Sequence, residues 1–337
     1  MDRDKSIDIL KGIGILFVII AHMGDCPLLL KAWIYSFHMP LFFFISGYLY
    51  NNKYENMNLK EFIKIKSEKL LYPYITISIF YIFYNFTIEK NINILLKRII
   101  SAIYSAKIFD INYVGAIWFI TCLFSVEIIF FIIKKYKIVY INRIILIIAL
   151  IGGIYPKLSN FRLPFGLDIA FVGILFYYIG YKLKSSNNIF EKIIKYRSIL
   201  LLNNILLMLI NYKVLKNTLF NGRVDMLYMN YGILIIFYID AISGILYFYS
   251  ISRNIKSNIL VFIGKNSLMF MAFHLIIIPY AIILANKLMQ LIGYNNIVVN
   301  NILYLIITLV LNSILIVVVK KYFPQFIGLR KIRNINM

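Results

Sequence analysis

Residues 32–50 read AWIYSFHMPLFFFISGYLY, a run in which no aspartate, glutamate, lysine or arginine interrupts the apolar and aromatic side chains. Wound as a helix at about 1.5 Å per residue, a stretch of this length covers a hydrocarbon core about 30 Å thick. Similar runs recur on both sides of it between short charged breaks, at about 7–24, 70–88, 112–133, 141–158, 164–182, 198–215, 227–250, 266–286 and 299–320. The pattern predicts an all-α, polytopic integral membrane bundle of about ten transmembrane helices. It is expected to fill residues 1–337 as one membrane-embedded domain, with no appended soluble domain. Composition agrees, with 61% hydrophobic residues, 15% charged residues and a mean hydropathy of +0.81. The first run is short unless Asp8 and Lys11 sit at its aqueous end, and 91–107, with Lys97, Arg98 and Lys107 among Ile and Leu, reads as an amphipathic surface helix.

The net charge of +22 would suit a nucleic-acid partner, but the basic residues lie in short loops between spans and form no basic stripe with its own fold, so none is expected. They read as topology signals. With a cytoplasmic amino terminus, the inner segments hold Arg3, Lys5, Lys53, Lys60, Lys64, Lys66, Lys69, Lys134, Lys135, Lys137, Arg143, a run from Lys182 to Arg197, Arg253, Lys256, Lys265 and the tail from Lys320 to Arg333. The outer set is smaller, which places both termini in the cytoplasm; the loop 89–111 fits least well, with four basic residues. Cys26 and Cys122 form neither a disulfide framework nor a zinc site, and no metal is expected. No small-residue cleavage site cleanly follows the first run, so it reads as a retained helix.

The three histidines, His22, His38 and His274, all fall inside predicted spans. An ionisable ring in hydrocarbon is costly and usually faces a wet cavity or a polar partner, and imidazole serves as a general base near neutrality. The plain alternative is a histidine hydrogen-bonded between helices. Lys11 and His22 are eleven residues apart, within about 20° of three whole turns and about 16 Å along the axis, so they share a face; Asp8 can pair with Lys11. His38 lies early in a helix running inward, at a depth similar to that of His22, and Pro40 two residues later can free backbone groups. His274 shares a face with Ser267 nearer the cytoplasm. In KEFIKIKSEKLLYPY, Lys66 and Lys69 are one turn apart and could hold the phosphates of a cytoplasmic donor, or simply anchor the chain at the inner surface. Glu127, Asp168 and Asp240 are embedded acids that could orient a histidine or neutralise a cation, and Trp118 could be a cavity wall or an interfacial anchor.

Six segments together resemble acyltransferase family 3, integral membrane acyltransferases, and more narrowly the branch similar to fucose 4-O-acetylase. They are SIDILKGIGILFVIIAH ending at His22, WIYSFHMPLFFFISGYL around His38, Lys66 to Tyr74, GAIWFI around Trp118, LPFGLDIAFVGILFYYIGY and GKNSLMFMAFH ending at His274. They stand in the family's order and cover nearly the whole chain. The resemblance implies about ten helices that pass an acyl group, usually acetyl from acetyl-CoA, to a carbohydrate hydroxyl. The family's basic residue, ten intervening residues and histidine fall on Lys11 and His22; its paired basic residues, often arginines, correspond to Lys66 and Lys69. Lysine lacks the planar fork that grips phosphate with two parallel bonds.

The expected roles are then His22 as general base, His38 as stabiliser of the oxyanion, and Lys11, Lys66 and Lys69 as donor-binding residues. Asp8, Trp118, Glu127, Asp168, Ser267 and His274 are candidate site-lining residues. A covalent acetyl-histidine route would use the same residues. Expected partners are acyl-CoA, a cell-surface carbohydrate or its lipid-linked precursor, the bilayer and glycan-assembly proteins, in a bacterial plasma membrane. The competing class is a proton-coupled transporter or glycan exporter, against which stands the lack of a visible inverted repeat. A structural scaffold is third, and it would tolerate loss of His22 and His38.

Overall fold

A computed structural model describes residues 4–106, 109, 115–184, 192, 193, 195–293 and 296–324, and the described residues are helical with no named strand. The helices are α1 (Lys5–His22), α2 (Leu28–Tyr48), α3 (Leu59–Lys66), α4 (Tyr72–Glu89), α5 (Ile92–Tyr104), α6 (Trp118–Lys135) and α7 (Ile141–Leu158). There follow α8 (Leu167–Lys184), α9 (Arg197–Leu215), α10 (Leu234–Ser252), α11 (Asn258–Lys265), α12 (Ser267–Ile292) and α13 (Ile297–Tyr322). Among the described residues nine helical runs are long and apolar enough to cross a membrane. The tenth expected span, α1, carries Lys5, Asp8 and Lys11 in its first half. The chain is an all-α polytopic membrane protein.

Several boundaries move for local reasons. The third span begins well before residue 70: α3 runs into α4 through one wider turn, Ser67–Leu71, where the Tyr72 N–H reaches back to the Ser67 carbonyl. The eighth starts at Leu234 and not near 227. Asp225 and Asn230 exchange backbone hydrogen bonds of 2.8 and 2.9 Å, Gly232 takes φ +61°, and Asn211 Oδ1 accepts from the Ile233 N–H at 2.9 Å, so this stretch folds as a turn. Of the 91–107 segment, Ile92–Tyr104 is helical as α5, but Arg98 is buried and forked onto Glu89 at the end of α4, while Lys97 stays exposed. Residues 1–3, with Arg3, and Lys107, 112–114, 185–191, 194 and 325–337 from the expected spans, basic segments and tail lie outside the described residues.

The described residues divide into two compact units. The first comprises 1–53, 129–161 and 167–267; the second 54–128, 162–166 and 268–337. In the first unit, glycine lets helices meet backbone to backbone. A Cβ at Gly47 would overlap the carbonyl of Tyr177, and one at Gly180 that of Phe44, so α2 and α8 lie in direct contact. Gly12 and Gly264 do the same for α1 and α11, against Leu260 and Asp8. Close approach through small residues is how helices gain packing in lipid, where apolar side chains have no water to escape. In the second unit, tyrosines bridge helices: Tyr81 donates to the Ala272 carbonyl at 2.7 Å and Tyr74 to that of Ala102 at 2.8 Å.

Candidate active site

The geometry begins with two adjacent helices of the first unit. His22 is the last residue of α1; after five intervening residues that end in Pro27, α2 begins and packs back along α1. Each histidine turns Nδ1 to the carbonyl one turn before it: His22 to Val18 at 2.7 Å and His38 to Ile34 at 2.9 Å. A carbonyl can only accept, so Nδ1 carries the proton and the neutral ring has its lone pair on Nε2. Tyr35 connects the two. Its ring meets that of His38 edge-on at 4.9 Å and lies 6.2 Å from that of His22.

The Arg223 guanidinium, from the turn before α10, sits 5.2 Å over the Tyr35 ring. Asp225 Oδ2 holds Arg223 Nε at 3.6 Å. Burial pushes the Asp225 carboxyl up and the neighbouring Arg223 charge opposes the shift. A second polar group lies on α2, α9 and α10. Ser36 donates to Asp240 Oδ1 at 3.3 Å, Asn204 Nδ2 also donates to that oxygen, and Trp33 Nε1 donates to Asn204 Oδ1 at 2.6 Å. Asp240 is fully buried and its Oδ2 has no hydrogen-bond partner among the described residues. Its contacts go to an amide and a hydroxyl, not to a histidine or a cation.

The basic segment belongs to the second unit. Lys66 is only 7% exposed: its ammonium pairs with Glu127 Oε2 at 2.9 Å and lies 4.6 Å over the Tyr54 ring. Lys69, two residues into the wider turn, is exposed. Thus one member of the predicted pair is engaged with an embedded acid and the other faces outward. His274, also in this unit, directs Nδ1 to the Phe270 and Met271 carbonyls at 3.1 and 2.8 Å. Ser267 opens the same helix, and Trp118 is the buried first residue of α6. In the first unit Lys11 is half-buried and Asp8 is buried, its backbone oxygen against Gly264. Asp168 is buried in the first turn of α8, where Oδ1 accepts from the Ile169 N–H at 2.9 Å.

A family model described as an acyltransferase domain matches residues 4–320. The chain belongs to acyltransferase family 3. No curated protein and no solved structure matched significantly. In this membrane-embedded acyltransferase, a pair of imidazoles with Nε2 lone pairs, set against one phenol ring, is a chemically competent arrangement for taking a proton from a hydroxyl. Sequence reasoning singled out both rings but passed over Tyr35, Arg223, Asn204 and Ser36. Tyr35 could have been found as the residue three before His38 on the same helix face. The only sequence signal for Asn204 and Ser36 was polarity inside apolar runs. Arg223 carried none, because its stretch reads as a span edge.

Proposed function

We propose that the protein is a membrane O-acyltransferase that moves an acetyl group from cytoplasmic acetyl-CoA to a hydroxyl of a cell-surface carbohydrate or its lipid-linked precursor, in a bacterial plasma membrane. The observation that carries the chemistry is the pairing of His22 and His38 around Tyr35, each ring locked through Nδ1 onto a main-chain carbonyl. In this reading His22 Nε2 takes the proton of the acceptor hydroxyl as its oxygen attacks the thioester carbonyl. The imidazolium then returns that proton to the departing thiolate of CoA, so no net proton is gained or lost. His38, whose Nδ1–H is given to the Ile34 carbonyl, stabilises the developing oxyanion in this reading as the protonated ring, donating from Nε2.

In the first unit Lys11, on the α1 face that leads toward His22, is the cation offered to the donor's phosphates, and in the second unit the exposed Lys69 is a separate cation suited to the same chemistry. Lys66 would act through its ion pair with Glu127, which fixes the turn from which Lys69 projects. The resemblance of the first two helices to the fucose 4-O-acetylase branch supports a carbohydrate acceptor. The test is transfer of radiolabelled acetyl from acetyl-CoA into membrane and surface glycan by cells carrying the wild type or a His22→Ala variant at equal protein levels. Label present with the wild type and lost with the variant is the expected result. Equal labelling by both would remove His22 from the chemistry.

A further inference from the structure

A cavity of about 560 Å³ opens on the first unit at the amino-terminal end of α1, between it, the end of α10 and the start of α11. Its size is within the range of small-molecule sites, roughly 300–1,000 Å³. Three cations line it, Lys5, Arg253 and Lys256, against the single carboxylate of Asp4. That carboxylate is already committed to the start of α1: Oδ1 accepts from the Ser6 N–H at 2.9 Å and from its hydroxyl at 2.6 Å. Lys5 and Lys256 make no ion pair among the described residues, and the Arg253 guanidinium is anchored at 3.2 Å on the Tyr249 hydroxyl.

Ser257 caps α11 by accepting from the Leu260 N–H at 3.2 Å, and Ser257 and Asn258 form part of the cavity wall. The first-turn N–H groups beyond that cap have no intrahelical acceptor and add positive potential to that of the three side chains. Ordinary inner-surface lysines spread outward toward lipid. These cations line one concavity with walls held rigidly, because Gly12 and Gly264 dock α11 on α1 backbone to backbone. The cavity also stands at the opposite end of α1 from His22, about 25 Å away along the helix. A long donor with phosphates at one end and a thioester at the other has that shape.

We propose that this cavity binds a phosphate-bearing ligand from the cytoplasmic side. Two sources share the chemistry: the phosphoadenosine end of acyl-CoA and the headgroup of an anionic phospholipid. The first source, unlike the phosphate chemistry, rests on the donor reading above. The experiment uses the full chain purified into phosphatidylcholine nanodiscs and titrated with CoA and with 3′-dephospho-CoA. The variants are Arg253→Gln/Lys256→Gln, Lys5→Gln as a milder second variant, and Lys60→Gln as an exposed control outside the cavity. Retained phosphatidylglycerol is quantified by mass spectrometry on each protein before exchange, and thermal unfolding confirms the fold.

The expected result is at least tenfold weaker CoA binding by the double variant and a smaller loss by Lys5→Gln, with Lys60→Gln unchanged and the difference reduced for 3′-dephospho-CoA. Wild-type CoA binding by the double variant together with loss of retained phosphatidylglycerol supports the site and assigns it to lipid. CoA binding and lipid retention both unchanged in folded variants would overturn the proposal. If the wild type itself binds no CoA, the donor reading fails separately, and the lipid measurement alone decides the cavity.

Discussion

Two centres in this molecule hold ionisable groups in apolar surroundings by opposite means. In the first unit, His22 and His38 stand as rings whose Nδ1–H is satisfied by a carbonyl of their own helix, and their neighbour is a phenol. In the second, Lys66 and Glu127 are both shielded, with side chains 9% exposed, and close on each other at 2.9 Å. A neutral imidazole pays little for burial and retains a lone pair that can take a proton. A buried ion pair satisfies itself, and its worth lies in each charge having the other. The contrast separates a centre suited to reaction from one suited to holding a turn in place.

The largest effect expected from this contrast is at the rings. Replacing His22 or His38 by alanine should lower acetyl transfer on the order of 10²–10⁴-fold with little change in thermal unfolding, read from labelled product per milligram of folded protein. A matching loss of folded protein would instead make the rings structural. At the ion pair the pattern should invert. Glu127→Gln leaves a buried ammonium uncompensated and should cost about 3–5 kcal/mol of stability, while the double variant Lys66→Met/Glu127→Leu recovers most of it. If the double variant folds well yet shows a raised KM for acetyl-CoA, Lys66 touches the donor and the contrast weakens.

Smaller effects sharpen the first centre. Tyr35→Ala removes the ring between the histidines and should reduce kcat roughly 10- to 100-fold through misplacement, whereas Tyr35→Phe, which keeps the ring, should stay close to wild type. Equal losses in both would assign the work to the hydroxyl. The smallest effect is expected for Asp240→Asn. The new amide oxygen can accept from Asn204 and Ser36 as Oδ1 does now, so stability should move by no more than about 1 kcal/mol and transfer should persist. Abolished transfer in a folded Asp240→Asn protein would show that an ionisable group is required there.

Period and composition made most of the helices legible, since a span must satisfy every backbone group internally and therefore writes itself as an uninterrupted apolar run. The misjudged edge at 227–233 had the same apolar content as a span. What decided it was a pair of backbone bonds between Asp225 and Asn230 and a side chain, Asn211, from another helix. Likewise the wider turn at Ser67–Leu71 leaves no trace in hydropathy.

The sequence by itself determined that this is a multi-pass helical membrane protein of acyltransferase family 3, and it marked His22 and His38, because each costly polar residue in hydrocarbon stands out against its neighbours. Only the tertiary structure decided which of those residues meet. It set both histidines against Tyr35, gave Lys66 to Glu127 and not to open solvent, placed Arg223 over an aromatic ring and gathered Lys5, Arg253 and Lys256 around one cavity. The physical reason is that hydropathy is a property of each segment alone. Partnership depends on which helix faces touch, and here glycine contacts and short polar bonds between distant segments fix those faces.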